Sequence, residues 1–332
     1  MSVNMRAAFY ERTGAAQEVL SVGSIPAPRP GDGEVLVRVH ASGVNPSDVK
    51  KRAGAMPAPA QFPRIVPHSD GAGVIEAVGP GVSETRIGQR VWLWNAQWKR
   101  PGGTAAELTA VPGDQAVQLA DQASFAAGAC LGIPAQTAWV AAMDGKPGLG
   151  RTVLVHGGAG AVGALAVSIA AEAGARVVAT ASTNEKAAIA KDAGAQQVIR
   201  YRDTDTAAAV LEFTGGNGAD HIVDVDFGAN RQVTAAAIAT NGSIAAYSAP
   251  TAPVFQMDYY AFAAKAARLR FVQVYLLPPG ERLQAIAGID RLLGAGGLPI
   301  RIARRFALDQ IVAAHELQES GGVIGNIVID TA

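Results

Sequence analysis

The chain has 332 residues, of which 49% are hydrophobic and 17% are charged, with 28 basic and 28 acidic side chains. That length accommodates about two domains, and the net charge of zero argues against nucleic acid or an anionic membrane as a partner. The single cysteine, Cys130, excludes an intrachain disulfide and a cysteine-based metal cluster. Residues 1–14 contain no apolar segment typical of a signal peptide, so we expect a cytoplasmic protein.

The first part of the chain, residues 5–122, is predicted to be rich in β-structure. Apolar and polar residues alternate in EVLVRVHASG at 34–43, and two further strands are predicted in GAGVIEAVG at 71–79 and GQRVWLW at 88–94. Glycine and proline turns separate these strands. Closely spaced strands of this kind predict a small barrel-like domain.

Residues 122–143 form an uncharged stretch that is long enough to span a bilayer. The stretch contains polar side chains and a Gly-Ile-Pro break at 132–134. We therefore expect two buried helices joined at that break rather than a membrane span.

From about residue 123 onward, predicted strands and helices alternate. The strands are predicted at 152–156, 176–181, 197–200, 220–226 and 243–247, and the intervening helices at 161–173, 184–193, 205–214 and 230–239. Repeated βα units predict a parallel sheet with helices on both faces. Further elements are predicted as an edge strand within 269–277, helices near 281–294 and 308–318, and a last strand at 324–330. That last strand has no βα partner, so we expect it to return to the first domain.

The stretch VLVHGGAGAVG at 153–163 contains the pattern G-x-G-x-x-G, formed by Gly158, Gly160 and Gly163. It follows a predicted strand and opens a predicted helix, which is the context of a dinucleotide-binding loop. Glycines permit the tight turn, the approach of a pyrophosphate and close packing of helix on strand, and the helix N-terminus favours the phosphate. The alternative is a glycine-rich turn without a ligand, which the βαβ continuation argues against.

The end of the second strand of this unit indicates which dinucleotide binds. NAD sites place an acidic residue there to hold the ribose 2′-hydroxyl, whereas this chain has ATASTNEK at 179–186, with Ser182, Thr183 and Lys186. A 2′-phosphate needs charge-assisted donors and no carboxylate. The sequence therefore predicts NADPH rather than NADH, with the alternative for Lys186 that it lies on a solvated helix surface.

Five segments together resemble a known family. They are ASGVNPSDVKKRAG at 41–54, PHSDGAGVIEAVGPGV at 67–82, LGIPAQTAW at 131–139, VLVHGGAGAVG at 153–163 and GNIVI at 325–329. In their order and spacing the chain resembles, over almost its whole length, the zinc-free quinone oxidoreductases of the medium-chain dehydrogenase/reductase superfamily, of the zeta-crystallin type. The family reduces quinones, and in some members other activated double bonds, with NADPH.

The resemblance implies an α/β fold with two domains and a cleft between them. A GroES-like β-rich catalytic domain is expected over 1–123, completed by about 278–332, and a Rossmann doubly wound parallel-sheet cofactor domain over 124–277. It also implies a homodimer or homotetramer acting on a small-molecule quinone or enone.

Zinc-dependent relatives hold their catalytic metal with a cysteine, a histidine and a second cysteine. The resemblance places Asn45 at the first of these positions, His68 at the second, and Ile133 or Pro134 near the third. One ligand of three cannot hold zinc, so no metal is expected. His68 is then expected either to line the cleft as a hydrogen-bonding residue or to have a structural role.

The resemblance also indicates residues beside the reacting atoms. Asn45 and Thr137 are candidates for contacts with the nicotinamide. Many zeta-crystallin-like enzymes have a tyrosine where this chain has Lys50, which either attracts an anionic substrate or a cofactor phosphate, or faces solvent. Of the three tryptophans in VWLWNAQWKR, Trp98 lies in a predicted loop and is the candidate for stacking on a planar substrate, whereas the other two fit strand packing.

The resemblance implies further cofactor contacts. The pyrophosphate would contact Gly160, Ala161 and Val162, and the 2′-phosphate would contact Tyr201. The cofactor groove would be lined by Gly228, Tyr247 and Ser248, the nicotinamide amide would contact Gln273, Val274 and Tyr275, and the last strand would contribute Asn326.

The leading interpretation of the whole sequence is an NADPH-dependent quinone reductase that transfers hydride without a metal. One alternative is an NADPH-dependent reductase of activated C=C bonds in enones or alkenals, and another is a non-enzymatic NADPH-binding protein. A quinone takes its protons from solvent, whereas an enone needs a proton donor beside its α-carbon, and the sequence shows no convincing donor.

Overall fold

The computed structural model describes residues 4–56 and 62–331. The chain forms two compact units, the first comprising Met1–Pro134 and Ile300–Ala332, and the second Ala135–Pro299. The second unit therefore runs from Ala135 to Pro299, against the 124–277 expected from the sequence.

The helices and strands of the described residues are as follows. The strands are β1 Asn4–Phe9, β2 Ser21–Pro26, β3 Glu34–Val44, β4 Asp70–Val78, β5 Arg90–Leu93, β6 Leu108–Pro112, β7 Ala116–Gln118, β8 Thr152–Val155, β9 Arg176–Ala181, β10 Gln197–Arg200, β11 Ala219–Asp224, β12 Ile238–Ala246, β13 Arg268–Phe271, β14 Ile302–Ala307 and β15 Asn326–Asp330. The α-helices are α1 Ala16–Val19, α2 Pro46–Ala53, α3 Phe125–Gly128, α4 Gln136–Met143, α5 Ala161–Glu172, α6 Asn184–Asp192, α7 Thr206–Phe213, α8 Phe227–Ala237, α9 Tyr259–Ala263, α10 Pro279–Gly294 and α11 Ile311–Glu319.

The first unit is built on β3, which pairs antiparallel with β4, β6 and β15. Its main sheet has the order β14-β15-β3-β4-β5-β7, and β1 pairs separately with β2. Val35 and Val37 of β3 are fully buried, as the alternation of apolar and polar residues predicted. The last strand returns to this unit as expected, because Ile327 of β15 pairs with Val44 of β3.

The second unit is a doubly wound parallel sheet, as predicted. Its strand order is β10-β9-β8-β11-β12-β13, and every neighbouring pair is parallel. The predicted strands at 176–181 and 197–200 agree with β9 and β10 residue for residue. The order reverses between β8 and β11, and ligands of such sheets bind outside the carboxyl ends of the strands at that reversal.

Several predicted boundaries in the second unit are displaced. The strand predicted at 243–247 begins at Ile238, and the helix before it ends at Ala237. The predicted strand 220–226 ends at Asp224, and the next helix begins at Phe227 rather than at residue 230. The reason is the Asp224 carboxylate, whose Oδ1 accepts from the Asp226 N–H at 2.9 Å and from Asn230 Nδ2 at 2.8 Å. This turn ends the strand and starts the helix earlier.

The uncharged stretch 122–143 contains α3, a π-helical turn at Leu131–Ala135 and α4. Pro134 lies inside the π-helical turn, where its missing N–H interrupts regular helix. In the second unit, Gly288 of α10 lies against the ring of Trp139 in α4, where a Cβ would come within 2.0 Å of the indole. Within residues 4–56 and 62–331, no helix is both long enough and apolar enough to cross a membrane.

Candidate active site

The glycine-rich loop joins β8 to α5 in the second unit. Gly157 has a φ of 70°, so the tight turn lies at a glycine just before the predicted pattern. A Cβ on Gly158 would lie 2.6 Å from the Ala179 Cβ of β9, and a Cβ on Gly163 would lie 2.2 Å from the Gly157 carbonyl oxygen. Packing therefore requires both glycines. Gly160 differs, because a Cβ there would meet no atom nearer than 3.5 Å, so the space beside it is open.

The N-terminus of α5 carries free donors. The first N–H groups of a helix have no intrahelical acceptor, and no side chain caps this helix at Gly160. Thr180 fixes the loop, since its Oγ1 accepts from the Gly157 N–H at 2.9 Å and its carbonyl accepts from the Gly158 N–H at 3.0 Å. Uncapped donors, the positive end of a helix dipole and open space at Gly160 are the arrangement that binds phosphate.

The other cofactor candidates of this unit follow the carboxyl ends of the parallel strands. Ser182 and Thr183 follow β9, Tyr201 follows β10, Tyr247 and Ser248 follow β12, and Gln273, Val274 and Tyr275 come after β13. Because parallel strands end at one edge of a sheet, the fold brings these residues to the edge that also holds the glycine loop.

The corner after β9 carries hydroxyls and positive charge. Ser182 and Lys186 are half-buried, and Thr183 caps α6 by accepting from the Lys186 N–H at 3.2 Å. Capping uses a lone pair of Thr183 Oγ1 and leaves its hydrogen available to donate. Arg200, at the end of β10, pairs with Asp203 at 2.5 Å. No carboxylate directly follows β9.

Four candidates of this unit differ in their surroundings. Gly228 is explained by packing, since a Cβ there would lie 2.0 Å from the Ala252 carbonyl oxygen. Thr137 is buried within α4, and Tyr275 is buried in a short 3₁₀ turn. Tyr201 is 49% exposed, so its ring is accessible at the sheet edge.

In the first unit, Asn45 begins α2 and joins it to β4. Its backbone N–H donates to Asp48 Oδ2 at 2.9 Å, and its Nδ2 donates to Asp70 Oδ2 at 2.8 Å. The same Asp70 oxygen accepts from the Ile133 N–H at 2.7 Å. Asp70 Oδ1 has no hydrogen-bond partner among the described residues and lies against Gly132, where a Cβ would come within 2.1 Å.

Lys51 lies on the same face of α2 as Asp48, because residues three apart are neighbours on a helix. Both side chains are buried. Lys51 Nζ donates to Gln97 Oε1 at 3.1 Å and to Ser69 Oγ at 3.4 Å. It also lies 5.8 Å from the centre of the Trp98 ring. We call the buried set Asn45, Asp48, Lys51, Ser69, Asp70 and Gln97 the Lys51 cluster.

Burial opposes every charge in the Lys51 cluster. It raises the pKa of the Asp48 carboxyl, and it raises the pKa of the Asp70 carboxyl well above the ordinary value. It lowers the pKa of the Lys51 ammonium from 10.5, and the Asp48 and Asp70 carboxylates oppose that shift. Opposed shifts among clustered titratable groups are a mark of functional sites.

Asp48, Lys51 and Asp70 are not among the site residues predicted from the sequence. Its candidate on α2 was Lys50, which is half-buried. The available signal was the spacing of three residues between Asp48 and Lys51 in a segment that opens with Asn45 and Pro46. That spacing places an acid and a base on one helix face, but it does not say that the face is buried.

His68 lies in a second hydrogen-bonded network of this unit and has no exposed surface. Its Nδ1 lies 2.8 Å from Ser42 Oγ and its Nε2 lies 2.9 Å from His315 Nε2. Ser42 Oγ lies 2.7 Å from Thr104 Oγ1, which donates its only hydrogen to the Asp70 carbonyl oxygen at 2.5 Å.

These contacts determine where the protons lie. Because Thr104 donates to Asp70, Ser42 must donate to Thr104. Ser42 then accepts from His68 Nδ1–H. Burial lowers the pKa of both histidines, so both rings are neutral, and the neutral His68 accepts at Nε2 from His315 Nε2–H. Both ring nitrogens of His68 are occupied by protein partners.

Of the remaining candidates, Trp98 borders the Lys51 cluster, whereas Trp92 and Asn326 have other surroundings. Trp98 is half-buried, and two ammonium groups lie near its ring centre, Lys99 Nζ at 5.7 Å and Lys51 Nζ at 5.8 Å. Trp92 is fully buried, as strand packing predicted. Asn326 Nδ2 donates to the Arg301 carbonyl at 3.0 Å, so its amide holds the start of β15 against the segment before β14.

Within residues 4–56 and 62–331, no group of three or more His, Cys, Asp or Glu side chains is placed to hold a metal ion. At two of the positions where zinc-dependent relatives have ligands, Asn45 and Ile133 both donate to Asp70. Both ring nitrogens of His68 are already hydrogen-bonded, to Ser42 and to His315.

The known proteins that resemble this chain are dehydrogenases and reductases. Residues 31–121 match the alcohol dehydrogenase GroES-like domain, and residues 161–286 match the family described as zinc-binding dehydrogenase. The human quinone oxidoreductase is 30% identical over 316 residues, which cover 94% of this chain and 94% of that protein. A 2-haloacrylate reductase from a Burkholderia species is 30% identical over 323 residues, which cover 94% of this chain and 93% of that protein. A mycobacterial protein solved in complex with NADPH superposes with a TM-score of 0.86 at 30% identity, covering 98% of this chain and 99% of that chain.

Proposed function

The chain belongs to the medium-chain dehydrogenase/reductase superfamily, among its zeta-crystallin-like quinone oxidoreductases, and on that premise we propose that it is an NADPH-dependent quinone reductase. The observation that carries the proposal is the carboxyl edge of the second unit. There an uncapped, glycine-lined helix N-terminus stands next to a strand end with hydroxyls, a lysine and no carboxylate.

The residues at this edge fit NADPH. The pyrophosphate would lie against Gly160, Ala161 and Val162, where the absent Cβ of Gly160 leaves room. The 2′-phosphate would lie against Ser182 and Thr183 with their neighbours Lys186 and Tyr201, and Tyr247, Ser248 and Gln273 would line the groove. When bound, NADPH supplies the hydride, and the protein binds and orients it.

The proposed acceptor site is on the first unit. Asn45 offers an amide that the Asp70 carboxylate holds in one orientation. Trp98 offers a half-buried aromatic ring on which a flat acceptor can stack. A quinone suits this pair of groups because it is already electron-poor and needs orientation at near-attack distance more than it needs activation.

A second candidate is reduction of an activated C=C bond. It is favoured by the identity of 30% with a 2-haloacrylate reductase over 94% of the chain. The two candidates share the cofactor and most of the contacts, and differ in that the C=C acceptor needs a proton at its α-carbon.

The test is NADPH consumption by the purified full chain with a panel of quinones and enones, alongside binding titrations with NADPH and NADH. We expect turnover with quinones and tighter binding of NADPH. Equal affinity for the two nucleotides contradicts the cofactor proposal. Turnover with enones alone supports the second candidate, and tight NADPH binding without turnover on any acceptor indicates a non-enzymatic protein.

Cofactor choice also has a single-residue test at Ser182, which directly follows β9. Ser182→Asp places a carboxylate where NAD-binding proteins hold the ribose 2′-hydroxyl, and it repels a 2′-phosphate. We expect the affinity for NADPH to fall by about tenfold or more, equivalent to at least about 1.4 kcal/mol, with NADH binding retained. Ser182→Ala is the matched control. Unchanged NADPH affinity in Ser182→Asp would place the 2′-phosphate elsewhere.

A further inference from the structure

Burying the charged groups of the Lys51 cluster costs free energy, and apolar residues would fill the same space without that cost. Asp48, Lys51 and Asp70 are at most 5% exposed. Burying charged groups carries a desolvation penalty that well-packed apolar residues of similar size avoid. Two buried carboxyl oxygens, Asp48 Oδ1 and Asp70 Oδ1, have no hydrogen-bond partner within the part of the chain that the structure describes. A cluster retained at this cost is a candidate for a chemical role.

The cluster adjoins the residues proposed to meet the acceptor. Asn45 belongs to both groups, through its 2.8 Å hydrogen bond to Asp70. Lys51 Nζ donates to Ser69, the residue next to Asp70, and lies beneath the ring of Trp98 at 5.8 Å. The positive charge of Lys51 is therefore within one small region of the first unit that also contains the amide and the ring of the proposed site.

The proposed reaction creates negative charge that such a group can stabilise. When an acceptor conjugated to a carbonyl gains a hydride, a π electron pair moves onto the carbonyl oxygen. The resulting anion then takes a proton from solvent, at that oxygen for a quinone and at the α-carbon for an enone. A fixed positive group in a water-poor site stabilises the developing oxyanion more strongly than water does. Lys51 keeps its own proton throughout this step.

We propose that Lys51 is the specificity-determining cation of this site, whose ammonium charge stabilises the oxyanion formed on the acceptor. The inference rests on the proposed reductase function and deepens it. It selects acceptors in which the reduced double bond is conjugated to an oxygen, as in quinones and enones, over those in which reduction leaves no charge on oxygen.

The groups around Lys51 determine when it is charged. Asp48 faces it from α2, Asp70 faces it from the start of β4, and Lys99 lies across the Trp98 ring. The neutral His68 is also close enough for the Lys51 charge to act on it. Because burial lowers the pKa of the Lys51 ammonium from 10.5, the charge is lost on the alkaline side, at a pH below that of an exposed lysine.

Three variants of the full chain test the proposal. Lys51→Met removes the charge and keeps the length, and we expect kcat to fall roughly 100-fold, as for loss of one oxyanion-stabilising group, with NADPH affinity unchanged. Lys51→Arg keeps the charge, so we expect it to retain activity and to lose the alkaline limb of the pH profile, because a guanidinium does not titrate there. Lys99→Met is the matched control, since it removes an exposed lysine at a similar distance from the same ring, and we expect wild-type kcat.

A second readout uses the protein without cofactor. Loss of the Lys51 charge beneath Trp98 is expected to change the tryptophan fluorescence on alkaline titration. The transition should be present in the wild type and in Lys99→Met, and absent from Lys51→Met and from Trp98→Phe. A transition that persists in Lys51→Met contradicts the assignment of that charge to Lys51.

The outcomes separate the two proposals. A wild type that consumes no NADPH with any acceptor contradicts the proposed function. A wild type that turns over quinones while Lys51→Met matches Lys99→Met contradicts the role of Lys51 alone. If Lys51→Met fails to fold, Lys51→Arg decides, because an alkaline limb that remains unchanged in Lys51→Arg overturns the inference.

Discussion

Individual side chains in the first unit have their protonation states set by neighbours far away in sequence. His68 and His315 are the clearest pair, since one N–H lies between their Nε2 atoms at 2.9 Å. The chain of hydroxyls from Ser42 to Thr104 leaves only one tautomer for each ring. Protonation of His68 at Nε2 would place its N–H against that of His315, whereas protonation of His315 at Nδ1 would bury a charged N–H with no hydrogen-bond partner among the described residues.

The buried pair of His68 and His315 predicts that the folded protein loses stability in acid. Burial holds the pKa of His315 at about 3, helped by the nearby Arg52 guanidinium, whereas an unfolded histidine titrates near 6.5. Between these values the unfolded chain binds more protons, so stability falls as the pH decreases below about 6.5. We expect His315 to account for a loss of roughly 3 kcal/mol between pH 6.5 and pH 4.

The measurement is urea unfolding at several pH values, comparing the wild type with His315→Gln. The glutamine amide can still donate to His68 Nε2 but does not titrate in this range. The variant should therefore have a flatter dependence of its unfolding free energy on pH below 6.5. Identical pH dependence in the two proteins would show that His315 is not the group being titrated.

The sequence offered candidates for the site on different grounds. Asn45 came from the family resemblance, Trp98 from an aromatic ring in a predicted loop, and the glycines from a pattern that follows a strand and opens a helix. The other members of the Lys51 cluster were missed because they come from three separate segments and no periodic pattern connects them. Choosing Lys51 over Lys50 requires knowing which face of α2 is buried, and only tertiary packing decides that.

At the scale of elements, the β8–α5 loop divides its glycines between two tasks. Gly158 and Gly163 are needed for packing, and Gly160 leaves an open space at the end of the helix. A sequence pattern treats the three alike, because it records only that each lacks a Cβ.

The division predicts opposite phenotypes for alanine substitutions. Gly158→Ala would bring a methyl within 2.6 Å of the Ala179 Cβ, so we expect a loss of stability of about 1–3 kcal/mol. Gly160→Ala meets no protein atom closer than 3.5 Å, so we expect little change in Tm but weaker NADPH binding. Thermal melts and nucleotide titrations on both variants check this. Gly160→Ala with wild-type NADPH affinity would mean that the pyrophosphate does not approach that residue.

Element positions in the second unit were largely predictable. The strand β8 is a short, fully buried apolar run, and each of β8, β9, β10 and β11 is followed by a helix. The exceptions arise where a side chain acts on the backbone, as the Asp224 carboxylate does when it ends β11 early. Pattern recognition cannot anticipate such local hydrogen bonds.

At the scale of the whole molecule, the first unit is closed by a strand from the far end of the chain. β15 lies between β14 and β3, and its Ile327, Val328 and Ile329 have no exposed surface. Thr331 adds a hydroxyl that donates to the Val39 carbonyl at 2.6 Å. The unpartnered last strand predicted this return, but the partner strand followed only from the structure.

This closure predicts a selective effect of truncation. Ending the chain after Gly322 removes β15 and exposes the edge of β3, so we expect the first unit to lose its cooperative unfolding transition. Arg305→Ala is the control, since it removes only a surface ion pair with Asp330, worth less than about 1 kcal/mol. Hydrogen exchange at β3 and β8 amides distinguishes the two units. Wild-type protection of β3 in the truncated chain would contradict the prediction.

The same return has a consequence for how the protein is made on the ribosome. Synthesis proceeds from the N-terminus, so residues 1–134 emerge long before β15 exists, while Ala135–Pro299 emerges as one continuous segment. The second unit has every strand of its own sheet as soon as it leaves the exit tunnel. The first unit has one edge of β3 uncovered until β15 has been synthesised, and during that interval the edge is open to pairing with strands of other chains.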